Sequence, residues 1–90
     1  MSLQRTGNAK ADIHRQVFDF KMLDGDTQIR FTIGFSIVRD LDGREVMPQQ
    51  INQQFDRHRD KIEVVAQHVF LSRIPTTNDR VALKREDFFT

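Results

Sequence analysis

Two runs of alternating apolar and polar residues surround an Asp-Gly pair in the first half of the chain. The apolar positions of the two runs are Phe18, Phe20, Met22, Ile29, Phe31 and Ile33. A period of two is typical of a strand buried on one face, and the intervening Asp24-Gly25 tolerates the positive φ angles of a tight turn. The pattern predicts a β-hairpin over about residues 15–33, which needs a covering layer because a two-stranded ribbon is marginal in water.

The longest helical pattern lies in the second half of the chain. Pro48 suits a first helical turn, and no further Gly or Pro occurs before Pro75. Apolar or semi-apolar residues recur at helical spacing at Ile51, Phe55, His58, Ile62, Val65, Ala66 and Val69. These positions fall on one face about 100° wide, so an amphipathic helix is predicted over residues 48–71.

Two shorter segments connect and close this framework. Residues 34–47 have two interpretations, a third strand that ends at a second Asp-Gly pair, or a helix of about two turns over 35–42. We favour the helix, with Gly43 as the residue after its C-terminus. Val81 and Leu83 alternate with Ala82 and Lys84, which predicts a last strand over residues 80–85.

The first twelve residues contain one large apolar side chain, Leu3. Such a segment buries little surface to offset its ordering entropy, so residues 1–12 are predicted to be a flexible arm. Residues 13–90 are predicted to form a single α+β domain. Its elements are an N-terminal β-hairpin, a short helix, and a long amphipathic helix packed on a small antiparallel sheet that a C-terminal strand completes.

Composition narrows the classes of protein. The 90 residues contain no cysteine and carry a formal net charge of +1, with 38% hydrophobic and 30% charged residues. Disulfides, thiolate nucleophiles and cysteine-ligated zinc are therefore excluded, and the length suits one domain. No run of apolar residues is long enough for a membrane span or a signal peptide. We therefore expect a cytoplasmic protein without membrane contact.

The titratable residues form no recognisable catalytic or metal-binding motif. His58 and His68 are ten residues apart, too far along a helix to share a metal ion, and we expect His58 to be partly buried with one hydrogen bond. Glu63, four residues after Arg59, is either a base oriented by that arginine or, as we favour, half of a surface ion pair. The sequence leaves enzyme activity open, and we favour its absence; we expect no cofactor, and no small-molecule ligand can be identified from the motifs.

The segment Phe55–Ala66 carries a resemblance to a known family. It contains the pattern Phe-x-x-His-Arg-x-x-Ile-Glu-x-x-Ala, and it is similar to a small bacterial family known as domain of unknown function 1488. The resemblance extends over about residues 15–88 through the hairpin, the short helix and the closing strand. It implies an α+β fold and a bacterial source, and it implies no activity.

Two functional hypotheses remain, and we favour the first, a protein contact, over the second, a nucleic-acid contact. Val64 and Leu71 are seven residues apart on the otherwise polar face of the long helix, which suggests contact with a protein partner. The first hypothesis is thus a non-catalytic interaction or accessory module, for which homodimerisation is an open alternative to a different partner. The second is a weak nucleic-acid binder that uses a basic patch of Arg73, Arg80, Lys84 and Arg85.

Overall fold

The chain folds, in a computed structural model, as a four-stranded sheet with helices on one face. The structure describes residues 3–72 and 80–89. The strands are β1 (Gln4–Asp12), β2 (Val17–Asp24), β3 (Thr27–Gly34) and β4 (Arg80–Leu83). The helices are α1 (Phe35–Asp42), α2 (Ile51–Arg57) and α3 (Arg59–Ser72), with short 3₁₀ turns at Pro48–Gln50 and Arg85–Asp87. The predicted α+β class is confirmed.

The predicted hairpin is present as β2 and β3, which pair antiparallel from Val17↔Gly34 to Asp24↔Thr27. Gly25 and Asp26 form the two-residue turn, and Gly25 has a φ of 62°. A two-residue hairpin turn needs a positive φ at its first central position, which glycine adopts without steric cost. The alternation therefore places the apolar side chains of both strands on one buried face.

Residues 35–42 form a helix and not a strand, as we favoured. Helix α1 ends at Gly43, which has a φ of 75° and donates its backbone N–H to the carbonyl of Arg39 at 2.8 Å. Ile37 and Val38 are buried against the core. The helix thus carries the chain off the end of β3 onto the apolar face of the sheet.

The long helix predicted over 48–71 is divided at His58, so the expectation of one continuous helix is wrong. His58 has a φ of −113° and a ψ of 8°, and its backbone N–H bonds to the carbonyl of Phe55 at 3.0 Å. At the break its imidazole Nε2 lies 2.8 Å from Asp42 Oδ1, at the end of α1. Phe55 and Ile62, on either side of it, are both fully buried in the core.

Residues 4–12 differ from the predicted flexible arm, because they form β1 at the edge of the sheet beside β2. The strand has polar side chains, and it is ordered by backbone pairing and by contacts with α3 that no local pattern reveals. Leu3, just before it, is buried.

The sheet is mixed and not antiparallel as predicted, since β4 runs parallel to β3. Parallel neighbours need a crossover connection, and here the three helices lie between β3 and β4 in the chain. The core between sheet and helices contains, as its largest fully buried side chains, Phe18, Phe20, Phe31, Phe55, Ile33, Ile62 and Val38.

Candidate anion-binding face

The face of the sheet opposite the helices carries a row of cations. Because side chains alternate along each strand, the residues between the buried positions all point to this outer face. Lys21 pairs with Arg30 across β2 and β3, and Arg30 pairs with Arg80 across β3 and β4. Neighbouring strands are about 4.8 Å apart, so these residues form a line about 10 Å long, which we call the basic row.

Among the described residues one acidic side chain, that of Asp19, lies beside the basic row, and other groups already engage it. Asp19 accepts a hydrogen bond from the hydroxyl of Thr32 at 2.9 Å and another from Arg15 Nη2 at 3.0 Å. Arg80 Nη1 lies 4.0 Å from the same carboxylate. Within residues 3–72 and 80–89, Lys10, Lys21 and Arg30 have no ion-pair partner.

A bulge in β1 forms one wall of a cavity next to the basic row. On β1, Thr6 pairs with Lys21 of β2, and Lys10 pairs with Asp19 of β2. Three β1 residues, 7–9, therefore lie opposite a single β2 residue, Phe20. Gly7 has a φ of 66° within this bulge, and such bulges bend an edge strand and redirect its side chains. The cavity measures about 360 Å³, and its lining includes the cations Lys10, Lys21, Arg30 and Arg80 together with the carboxylate of Asp19.

The basic row places like charges directly opposite one another on neighbouring strands. Like charges directly opposite on neighbouring strands are destabilising, typically by a few tenths to about 1 kcal/mol per pair. The Lys21–Arg30 and Arg30–Arg80 pairs both have this arrangement. Clustered cations beside a concave surface raise the local concentration of anions, so the face is suited to binding a negatively charged partner.

The basic residues predicted from the sequence do not form one cluster. Arg80 belongs to the basic row, and Lys84 is exposed immediately after β4. Arg85 instead pairs with Asp40 and donates to the hydroxyl of Ser36, both on α1. Arg73 lies outside the described residues. Sequence reasoning missed Lys10, Lys21 and Arg30, although Lys21 and Arg30 are equidistant from the hairpin turn and their pairing follows from it.

The two residues predicted to contact a partner are both exposed on α3. The exposed fractions are 70% for Val64 and 66% for Leu71. Lys61 and His68 are also exposed on this helix, and the four positions have spacings of three, four and three residues, which is the spacing of one helix face. We call this set the α3 stripe. It lies on the helix layer, and the basic row lies on the opposite face of the sheet.

The predicted Arg59–Glu63 surface pair is instead buried and part of a larger ionic cluster. Glu63 accepts hydrogen bonds from Arg5 Nε at 2.8 Å and from Arg59 Nε at 3.1 Å. Arg5 also donates to Asp60 at 2.6 Å, and Arg59 donates to the carbonyl of Gly7 at 2.8 Å. The hydrogen bond to Glu63 raises the pKa of the Arg5 guanidinium above its usual range. The cluster joins β1 to α3.

A second buried carboxylate joins the end of α1 to α2. Asp42 accepts hydrogen bonds from Gln54 at 3.0 Å and Arg57 at 3.0 Å, and its other oxygen lies 2.8 Å from His58 Nε2. These bonds, the one from Gln54 foremost, hold the pKa of Asp42 well below its usual range. His58 is partly buried with this one hydrogen bond, as predicted.

Within the part of the chain that the structure describes, no three His, Cys, Asp or Glu residues converge as metal ligands would. None of the helices described there has the length and apolarity needed to cross a membrane.

Comparison with known proteins identifies relatives by sequence and by fold. Residues 6–81 match the family described as "Protein of unknown function (DUF1488)". The fold is similar to the crystal structure of a protein of unknown function from the DUF1488 family of Shewanella loihica PV-4, with a TM-score of 0.82. The two chains are 18% identical, and the similarity covers 93% of each. No curated protein matches the chain significantly.

Proposed function

This chain belongs to the DUF1488 family of proteins of unknown function, and we propose that it is a non-catalytic binding module whose outer sheet face binds a nucleic-acid backbone. The observation that carries the proposal is the basic row, in which Lys21, Arg30 and Arg80 are neighbours across three strands. Lys10, which pairs with Asp19 across β1 and β2 beyond the bulge, adds a fourth cation beside the row. The proposal places the protein in the cytoplasm, where nucleic acid is abundant.

The composition of the outer face favours recognition of phosphates over recognition of bases. Proteins that bind single strands through the bases use exposed aromatic side chains as stacking platforms. The outer-face neighbours of the basic row that the structure describes are Thr6, Asp19, Leu23, Gln28, Thr32 and Ala82, and none is aromatic. Phosphate contacts fix position without reading sequence, so we expect binding that is independent of sequence and strongly weakened by salt.

The test is a titration of a labelled oligonucleotide of about 20 nucleotides, single-stranded and duplex, followed by fluorescence anisotropy. Four phosphate contacts predict a slope of log K against log salt of about −3 for single strands, since each contact contributes about −0.7. Arg30→Gln should weaken binding and reduce that slope by about one contact. Lys61→Gln, which removes the same charge from the α3 stripe, should leave both unchanged.

Two outcomes would contradict the proposal. One is the absence of binding at about 50 mM salt, where electrostatic binding of this kind is strong. The other is an equal loss of affinity in Arg30→Gln and Lys61→Gln, which would show that net charge alone matters. An acidic polypeptide such as poly-glutamate serves as the competitor, and its binding more tightly than the oligonucleotide would assign the face to a protein partner.

The α3 stripe supports a second candidate function, self-association. Helix α3 buries Ile62, Ala66 and Val69 on its inner side and still exposes Val64 and Leu71 on its outer side. A helix that is apolar on two sides is typically covered on both.

If a second copy covers α3, Val64→Asp should convert a dimer to a monomer in light scattering after size exclusion, and the exposed control Gln53→Asp should not. A monomer in all three proteins would exclude this candidate.

A further inference from the structure

Strand β1 is attached to the domain in a different way from the other strands. None of its nine residues is buried, whereas β2, β3 and β4 each bury two or three side chains in the core. The buried anchor of this segment is Leu3, which precedes the strand. Burial of apolar side chains is the main force that retains a strand in a domain, and β1 contributes little of it.

Polar contacts with α3 hold β1 instead. They are the bonds from Arg5 to Glu63 and Asp60, the bond from Arg59 to the carbonyl of Gly7, and one from the backbone N–H of Leu3 to Gln67 Oε1 at 3.0 Å. Each of these contacts, and every backbone bond between β1 and β2, joins a residue before the turn at residues 13–16 to a residue after it. A second copy of the chain could therefore provide its own β1 and make the same contacts.

The turn between β1 and β2 is short and strained. It comprises residues 13–16, and Gln16 has a φ of 55°, a left-handed conformation that a residue with a Cβ adopts at a cost. Ile13 in the same turn is 62% exposed. Arg15 donates to Asp12 at 3.1 and 3.0 Å and to Asp19 at 3.0 Å, and the carbonyl of Gln16 accepts the backbone N–H of Phe35 at 2.9 Å. These bonds stabilise the closed turn, and those from Arg15 to Asp12 would be lost when it opens. Short hinge loops under strain favour exchange of the element that they connect.

We propose that β1 exchanges between two copies of this chain, so that β1 of each copy pairs with β2 of the other. The partner is a second copy because only this chain supplies the matching Arg5, Gly7 and Leu3 contacts. Opening the hinge releases the left-handed conformation at Gln16.

Exchange would make the cavity on the outer sheet face a composite of two copies. Thr6, Gly7, Asn8 and Lys10 would come from one copy and Lys21, Arg30 and Arg80 from the other. The exchanged dimer would then carry two cationic faces on one particle, and binding both to a single polyanion would increase the overall affinity. The exchange itself does not depend on what these faces bind.

The test uses the absence of cysteine from the chain. Lys10 and Asp19 are Cα partners across β1 and β2, at a separation that a disulfide can bridge. In the double variant Lys10→Cys/Asp19→Cys, the closed monomer forms the disulfide within one chain. After exchange, the same two positions belong to different copies, so the disulfide joins two chains. We expect a covalent dimer on non-reducing gels after oxidation of concentrated protein, and a dimer mass in light scattering.

Three further variants sharpen the result. Gln16→Gly removes the strain from the closed turn and should weaken dimerisation by about fivefold per hinge, or about 25-fold for the dimer. Val64→Asp should leave the covalent dimer unchanged, which separates exchange from association through the α3 stripe. Thr6→Cys/Lys21→Cys repeats the measurement at the other side of the bulge, in case one cysteine pair disturbs folding.

The proposal is overturned if both cysteine pairs form their disulfides within single chains at every protein concentration up to about 1 mM. It is equally overturned by a dimer in light scattering whose disulfides are all intramolecular, because that dimer uses another surface. Neither result bears on oligonucleotide binding by the basic row, so this proposal and the proposed function fail separately.

Discussion

At the scale of single residues, the buried charged groups of this protein are organised around two carboxylates. Glu63 is shared by the guanidinium groups of Arg5 and Arg59, and Asp42 is shared by Gln54, Arg57 and His58. A buried carboxylate is costly unless it is paired and hydrogen-bonded. Both are, since among the described residues no buried side-chain nitrogen or oxygen is without a partner.

The lowered pKa of Asp42 predicts a specific loss of stability in acid. The unfolded chain has the ordinary pKa of 3.8 and the folded chain a lower one, so below about pH 4 the unfolded state binds more protons. The stabilisation by Asp42 is therefore complete above about pH 4 and is lost as the pH falls through the folded pKa. Urea unfolding at pH 7 and between pH 4 and 2 should show that Asp42→Asn is less stable at pH 7 and less sensitive to acid.

The exposed Asp56→Asn provides the matched control for that measurement. Asp56 makes no ion pair within the described residues, so its substitution should leave the acid dependence close to that of the native chain. If the stability of Asp42→Asn fell in parallel with that of the native chain below pH 4, the hydrogen bonds around Asp42 would not be what stabilises its charged form.

At the scale of secondary-structure elements, ends and breaks decide the course of the chain. Helix α1 ends because Gly43 adopts a left-handed conformation, and the helix layer bends because His58 interrupts the run from α2 to α3. The periodicity of apolar residues predicted both helical segments. It did not predict the break, because Phe55, His58 and Ile62 have the spacing of an unbroken helix, and the contact of His58 with Asp42 that accompanies the break joins two elements distant in the chain.

Gly43 offers a direct test of how α1 terminates. Gly43→Ala places a Cβ on a residue with a φ of 75°, and the left-handed conformation costs a residue with a Cβ about 1–2 kcal/mol. Thermal or urea unfolding should show that loss. Gly34→Ala is the control, because Gly34 has a φ of −68° and an added Cβ would meet Ser36 and Ile37 only at ordinary contact distances of 3.9 and 4.0 Å. Equal losses in the two variants would contradict this account of the helix end.

At the scale of the whole molecule, one apolar layer joins the sheet to the helices, and Phe55 lies at its centre. Its ring centroid is 4.8 Å from that of Phe18 and 5.7 Å from that of Phe20, both on β2. The outer face of the sheet and the outer face of α3 lie on opposite sides of this layer. The layer therefore supports both candidate binding surfaces without contributing to either.

Truncation of Phe55 should destabilise the entire domain. Phe55 is fully buried, and Phe→Ala substitutions in protein cores typically cost about 3–5 kcal/mol, which is a large part of the stability of a domain of this size. We expect a single cooperative unfolding transition at a much lower urea concentration. Phe89→Ala removes the same side chain where it is 44% exposed, and it should change stability by less than about 1 kcal/mol. Similar losses in the two variants would show that Phe55 is not central to the core.

The amino-acid sequence alone determined the hairpin, the α+β class and the burial of Phe55 and Ile62, and it favoured a helix over a strand at residues 35–42 without deciding between them. These features follow from local rules, because periodicity, turn chemistry and helix ends depend on residues close together in the chain. Even the Lys21–Arg30 pair is implied by the hairpin register.

Tertiary structure decided the strand at residues 4–12, the parallel direction of β4, the break at His58, and the burial of Arg59 and Glu63. Each of these depends on groups brought together from distant parts of the chain, such as Arg5 with Glu63, Asp42 with His58, and Arg30 with Arg80. The basic row shows both origins, since a turn aligns its first two members and only the fold of the whole domain adds the third.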